Sequence, residues 1–198
     1  MQLQYYYHVI KNAIPLEFCD RIIETGLGLP NNPATVQNDP KRKLRKSIVS
    51  WIPNDDEHSW IYNKIGSIIL STNFKHWGWQ LQQVENMQFT RYEEEGHYTW
   101  HADSYRQAYD KDSRWPGMTR KISCTLLLSE PSDYEGGEFQ IETQNAAPGD
   151  PARIENLSDA IGKGTLIIFP SHLFHRVTPV QSGVRQSLVA WYLGRPFI

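Results

Sequence analysis

The sequence predicts a mainly β domain, a barrel or sandwich with helices packed on its outside, and three observations carry that prediction. After Trp79 the chain breaks into seven short β-rich runs separated by turns: VENMQFTRY, HYTWHAD, KISCTLLLS, GEFQI, GTLIIFP, LFHRVTP and VRQSLVAWYLG. Before Trp79, two stretches repeat their apolar residues at helical spacing instead of alternating them. The composition is that of a globular chain of 198 residues, 39% apolar, 12% aromatic and 21% charged, without the bias of disordered, collagen-like or coiled-coil sequences. Because domains average about 150 residues, one elaborated domain over 1–198 is expected, with a helical part over about 1–78 and a β core over about 79–198.

Taken in order, the first element follows Pro15, where Leu16, Cys19, Ile22, Ile23 and Leu27 form one stripe and Gly26 with Gly28 supplies a stop. Residues 28–46 hold Pro30, Pro33 and Pro40 and then the basic run Lys41, Arg42, Lys43, Arg45 and Lys46, which reads as a loop or hairpin arm. Residues 47–52 (SIVSWI) are strand-like. Asp55 or Asp56 can then cap a second helix over about 57–74, with Ile61, Ile65, Ile68, Ile69 and Thr72 on its inner face. No internal repeat or low-complexity segment divides the chain.

A net charge of −2 gives no global reason to expect nucleic-acid or membrane binding. Cys19 and Cys124 are too few for a disulfide framework or a cysteine-rich zinc site. No apolar run approaches a membrane span, and residues 1–8 lack a signal layout, so an unexported, cytoplasmic protein with no membrane partner is expected.

The chemistry begins at residues 98–103 (YTWHAD). His101 and Asp103 stand two apart, and the period of a strand puts both side chains on one face. His175, in SHLFHRVTP, can supply a third ligand, completing the two-His, one-carboxylate set of non-haem Fe(II) oxygenases. Arg185 follows ten residues later. A hairpin turning near Gln181 would set residue 175 opposite 187 and leave Arg185 a diagonal neighbour of His175, at roughly 7–8 Å. A short dicarboxylate chelating the metal by its keto-acid end would bring its far carboxylate to that arginine, a natural bidentate partner. Ser187 shares the Arg185 face, with Val189 and Trp191 as apolar company.

Three segments together carry a family resemblance: RYEEEGHYTWHAD, TLLLSEPSDYEGGEF and GTLIIFPSHLFHRVTPVQSGVRQSLVAWYLG. Over roughly 45–194 the chain resembles the 2-oxoglutarate and Fe(II)-dependent oxygenases, specifically the prolyl 4-hydroxylase-like branch and its PKHD-type members. The resemblance implies a double-stranded β-helix, iron held by His101, Asp103 and His175 as the catalytic centre, a hydrogen bond from Tyr92 to the cosubstrate, and Arg185 on its C5 carboxylate. It implies Fe(II), 2-oxoglutarate and O2 as cofactors, with ascorbate as a candidate reductant. Arg185 stands where many prolyl 4-hydroxylases carry Lys, which leans the chain towards the PKHD type.

The expected reaction is hydroxylation of a peptide or protein residue, proline first, with release of succinate and CO2. Leu126 and Leu128 alternate towards one face and are expected to form the barrel core, with contact to the cosubstrate's methylenes as an added role. Tyr98, lining the substrate entrance, and Trp191, walling the metal pocket, are candidate substrate contacts, with plain core packing as the rival role. The polar, aromatic segment 104–119 is a candidate lid, offering Tyr105, Arg106, Tyr109, Arg114 and Trp115 as substrate contacts. Gly136 and Gly137 read as shape residues in a tight turn. His172 is a weaker ligand candidate than His175; His97 stands off the site, and His8, His58 and His76 read as surface or boundary residues. The basic run is read as a solvated arm, or else as a lid on an acidic or nucleic-acid substrate. Two rivals stay open: the same chemistry on a nucleobase or small molecule, and a catalytically inactive metal-binding barrel. The sequence is silent on oligomeric state.

Overall fold

Runs such as TLLL at 125–128 and LIIF at 166–169 have no polar side to give to water, so the strands they form must be covered on both faces. The computed structural model, which describes residues 7–36, 39, 43–104, 107–143, 153–157 and 162–197, covers them with helices on one side and a second sheet on the other. Its elements in chain order are β1 (His8–Ile10), α1 (Leu16–Gly28), β2 (Asn31–Pro33), β3 (Arg45–Lys46), β4 (Ile48–Ile52), α2 (Ser59–His76), β5 (Gln83–Val84), β6 (Met87–Tyr92), β7 (His97–His101) and β8 (Thr119–Leu127). There follow β9 (Tyr134–Gly136), β10 (Phe139–Thr143), β11 (Arg153–Asn156), β12 (Leu166–Pro170), β13 (His175–Val177), β14 (Val180–Gly183) and β15 (Arg185–Gly194).

Among the described residues the large sheet runs β1, β12, β8, β15, β6, β4, β2, with β5 added to β15. The smaller one runs β11, β10, β13, β7, β3, and β9 pairs with β14 alone. Strand parity sorts the side chains. Cys124, Leu126, Leu188 and Ala190 pack with Ile22 of α1 and Ile61, Ile65 and Ile69 of α2. Leu127, Ile167, Phe169 and Tyr92 belong to the second cluster, together with Phe139, Ile141 and Val177 of the small sheet. Tyr62 ties α2 to the large sheet, its hydroxyl donating to the Ile52 carbonyl at 2.7 Å and accepting from the Met87 amide at 2.9 Å.

Several expectations are corrected. The chain does not form a hairpin between 175 and 187: β13 pairs with β10 and β7 in the small sheet, whereas β15 lies between β6 and β8 in the large one. The intervening residues cross from one sheet to the other. Residues 31–33 and 45–46 are not a free arm, because β2 extends the large sheet through β4 and β3 joins the small sheet through β7, while Lys41 and Arg42 of the basic run lie outside the described residues. Asp55 accepts from the His58 amide at 3.0 Å and so caps the turn before α2, which begins at Ser59.

Gly26 does not stop α1. It lies within the helix, and a Cβ there would sit 2.3 Å from Cγ of Phe89. Glycine is the residue that lets α1 approach β6. Alanine in a helix interior ordinarily gains up to about 1 kcal/mol over glycine. Here overpacking reverses the sign, and Gly26→Ala is expected to destabilise the fold by about 1–3 kcal/mol, read as a lowered urea midpoint at unchanged slope.

Candidate active site

The register of β7 against β13 sets His175 opposite His101. Their ring centroids are 4.1 Å apart. Each ring turns its Nδ1 to a carbonyl two residues back, His101 to Thr99 at 2.8 Å and His175 to Leu173 at 3.1 Å. A carbonyl only accepts, so Nδ1 carries a hydrogen, and in the neutral imidazole Nε2 then keeps the lone pair that a metal takes. Both Nε2 atoms face Asp103, at 3.8 Å from Oδ1 for His101 and 3.5 Å from Oδ2 for His175.

Asp103 lies beyond the end of β7, so strand alternation is not what aims it. The Ser171 carbonyl accepts from the amides of Asp103 and Ser104, both at 2.9 Å, and draws the chain towards β8 of the large sheet, where the Ser171 amide donates to the Lys121 carbonyl. There Ser123 donates its hydroxyl to Asp103 Oδ2 at 2.7 Å. Burial works against ionisation of this carboxyl, but His175, His101 and Arg120 together with the Ser123 hydrogen bond outweigh it and hold it down at about 2. Burial and the neighbouring His175 push His101 down to about 3. His101 is therefore neutral and Asp103 ionised at neutral pH, the protonation states that metal ligation requires. The three ligand atoms lie within 4.8 Å of one another. Among the described residues this trio could hold an octahedral cation facially, with positions open for other ligands.

The opposite wall of the same cavity comes from the large sheet. Arg185 pairs with Tyr92 across β15 and β6, and its guanidinium lies 5.5 Å from the Tyr92 ring centre. It is 1% exposed. Nη1 reaches Ser187 Oγ at a long 3.4 Å, while Nε and Nη2 have no partner. Gly137, at φ +59°, leaves the room it needs, since a Cβ there would approach Arg185 Cδ to 3.0 Å. A buried cation without a counter-charge is unfavourable. Such a slot facing the metal trio fits the far carboxylate of a short dicarboxylate ligand.

The structure thus brings together His101, Asp103, His175, Tyr92, Arg185, Ser187, Tyr98 and Trp191. Tyr98 stacks on the His101 ring at 3.4 Å and 15°. Trp191 has a buried indole N–H with no partner. Leu126 and Leu128 are core residues, as expected, but they face the helices and do not line the cavity; the residue of β8 that reaches it is Thr125. Arg114 and Trp115 also stand off it. The Arg114 guanidinium lies over the Trp115 ring at 5.4 Å, and Trp115 lies beside Tyr109 at 5.8 Å. Tyr105 and Arg106 lie outside the described residues. His97 bonds the Glu95 and Lys43 carbonyls, and His58, expected near the surface, is buried against Asp55.

Sequence reasoning missed Gln88, Thr125, Phe139 and Val177 on the cavity walls, and it left Arg45 undistinguished within the basic run. It also missed a buried pair, Arg120 with Glu85, bonded at 2.6 and 2.7 Å. That pair also takes the Tyr109 hydroxyl at 2.8 Å and places the Arg120 guanidinium 3.9 Å over Trp191. No local motif announces such contacts, which depend on strand register.

Comparison with known proteins agrees with this geometry. A prolyl-4-hydroxylase from Pseudomonas putida superposes with a TM-score of 0.68 at 19% identity, over 98% of this chain and 95% of its own. A Trichoplax adhaerens prolyl hydroxylase, solved with a hypoxia inducible factor oxygen degradation domain peptide fragment, gives 0.68 at 16% identity over 96% of this chain and 84% of its own. The fold is therefore the double-stranded β-helix of 2-oxoglutarate oxygenases. The 2OG-Fe(II) oxygenase superfamily model matches residues 87–193, more than half of the chain, and the chain belongs to that superfamily. A PKHD-type hydroxylase of Idiomarina loihiensis is 36% identical over 110 residues, which are 56% of this chain and 43% of that relative, so the match spans less than half of the relative's length. The cofactors of the family are Fe(II), 2-oxoglutarate and O2.

Partners that orient a metal ligand typically carry 10–100-fold in affinity. For a divalent ion held by the trio, Ser123→Ala is expected to weaken binding by about tenfold, read by anaerobic Co(II) titration, with the unfolding midpoint little changed.

Proposed function

We propose that this chain, as one domain over 1–198, is an Fe(II)- and 2-oxoglutarate-dependent dioxygenase that hydroxylates a peptide or protein residue, proline first, and releases succinate and CO2. The observation that carries the reading is a His-Asp-His trio sharing one cavity with a buried guanidinium that has unused donors. His101, Asp103 and His175 would hold the ferrous ion. Arg185 with Ser187 would bind the far carboxylate of 2-oxoglutarate, and Tyr92 would donate its hydroxyl to the same ligand. When bound, iron with 2-oxoglutarate and O2 supplies the oxidant, one oxygen atom going to succinate and one to the substrate. Ascorbate is the proposed external reductant.

The protein's own part is placement and shielding. The Nδ1 contacts fix the two imidazoles, Ser123 fixes the carboxylate, and Phe139, Val177 and Val189 give the inner cavity its apolar lining. Tyr98 and Trp191, on the side where the cavity opens, are the proposed substrate contacts. A peptide substrate is favoured by the prolyl hydroxylase relatives, one of which was solved with a peptide.

Anaerobic addition of Fe(II) and 2-oxoglutarate is expected to give a visible metal-to-ligand charge-transfer band. Charged hydrogen bonds are worth about 1.5–3 kcal/mol each, so Arg185→Ala should raise the 2-oxoglutarate needed for half the band by about a hundredfold, with Fe(II) affinity nearly unchanged. Equal loss of both affinities would remove Arg185 from its assigned role. Oxygen and a peptide library then test the substrate through a mass gain of one oxygen atom.

A further inference from the structure

On the open side of the trio the cavity widens into a cleft walled by Arg45, Trp51, Gln88, Tyr98, Arg120 and Trp191. Its charges are mostly spoken for. Arg120 is held by Glu85, and Asp103 belongs to the trio. Arg45 is different. It is only 8% exposed, and its Nε donates to Ser47 Oγ at 2.9 Å. Its flat face lies 4.6 Å over the Tyr98 ring. Among the described residues no carboxylate lies within ion-pair distance of it. The acidic groups nearby are engaged elsewhere: Asp39 accepts from the amides of Lys43 and Leu44, and Glu95 bonds Lys46 at 2.6 Å.

Arginine has five N–H donors, and with Nε used by Ser47 the outward pair on Nη1 and Nη2 is left to form the two parallel bonds that a carboxylate accepts. The main chain fixes its position, since Arg45 is the register partner of Tyr98 across β3 and β7. Tyr98 in turn lies flat on His101, so the guanidinium stands one aromatic layer away from a metal ligand. A peptide advances about 3.3–3.6 Å per residue. A chain with its reactive carbon at the trio therefore brings the side chain of an adjoining residue to Arg45.

We propose that Arg45 is a specificity residue and that the cleft takes an acidic peptide, with Asp or Glu next to the oxidised residue and its carboxylate paired with Arg45. The proposal deepens the oxygenase reading above and rests on it.

The test uses Zn(II) and 2-oxoglutarate, so that binding is read without turnover. Matched short peptides carry a central proline, lysine or asparagine, flanked by Glu in one member of each pair and by Gln in the other. Calorimetry on the wild-type protein is expected to show the Glu member of at least one pair binding about tenfold more tightly, a difference of ~1.4 kcal/mol, and this preference should shrink with added salt. It should fall to within about twofold in Arg45→Gln and persist in part in Arg45→Lys, which keeps the charge but loses the fork. Equal binding within every pair, no measurable binding of the Glu peptides, or a preference that survives Arg45→Gln would each overturn the proposal. So would a single-stranded oligonucleotide that displaces the peptides, since the cleft would then serve a nucleic acid. Should Arg45→Gln not fold, the wild-type pair comparison decides alone. The charge-transfer band separates this failure from the other: an intact band without peptide discrimination sinks only the role of Arg45, whereas a missing band sinks the oxygenase reading.

Discussion

A strand buried on both faces has no harmless side towards which an error can turn, and β15 is such a strand. Its odd residues, Arg185, Ser187, Val189 and Trp191, line the space between the sheets, while Leu188 and Ala190 pack under the helices. Because side chains alternate with a period of two, a slip of one residue would carry the whole set to the other face. Arg185 and Ser187 would then turn away from the trio, and Leu188 and Ala190 would leave the helices. The pairings Arg185 with Tyr92 and Leu188 with Leu126 are thus enforced by the apolar layer and exploited by the polar one. The helix-side cluster holds the register, and the register holds the site.

The inner cavity is built against stability. Asp103, His175, Arg45 and Arg185 are all nearly buried, and the two arginines have no carboxylate partner within the described fold. Each such group lowers stability unless a ligand completes it, so the space between the sheets is organised for occupants. Compensation comes from elsewhere: α1 and α2 bury Ile22, Ile61, Ile65 and Ile69 against the far face of the large sheet. The Tyr62 hydroxyl is doubly bonded.

Much of this was legible in the sequence, for local reasons. The two helices follow from the 3.6-residue spacing of Ile22, Ile61, Ile65 and Ile69, and most strands from their β-branched runs. His101, Asp103, His175 and Arg185 were found by residue type and spacing, yet partly by the wrong route. Asp103 is aimed by the Ser171 carbonyl and not by strand alternation, and the ten residues between His175 and Arg185 measure a crossing between sheets, not a hairpin. What stayed hidden depends on register alone. In TLLL both parities are apolar, so nothing local says that Thr125, and not Leu126, faces the cavity. Arg45 sat in a basic run whose ordinary fate is solvent, and only pairing with β7 takes it inside. Gly26 looked like punctuation because the ring of Phe89 pressed against it comes from more than sixty residues away in sequence.

The Nδ1 contacts of the two imidazoles have a wider bearing. Each ring is steered by a carbonyl of its own strand or turn, supplied by Thr99 and by Leu173. Any residue at those two positions would present the same oxygen. The aim of the ligands is therefore inherited through the backbone path, and side chains around the pocket are free to diverge in the service of new substrates without turning the rings away.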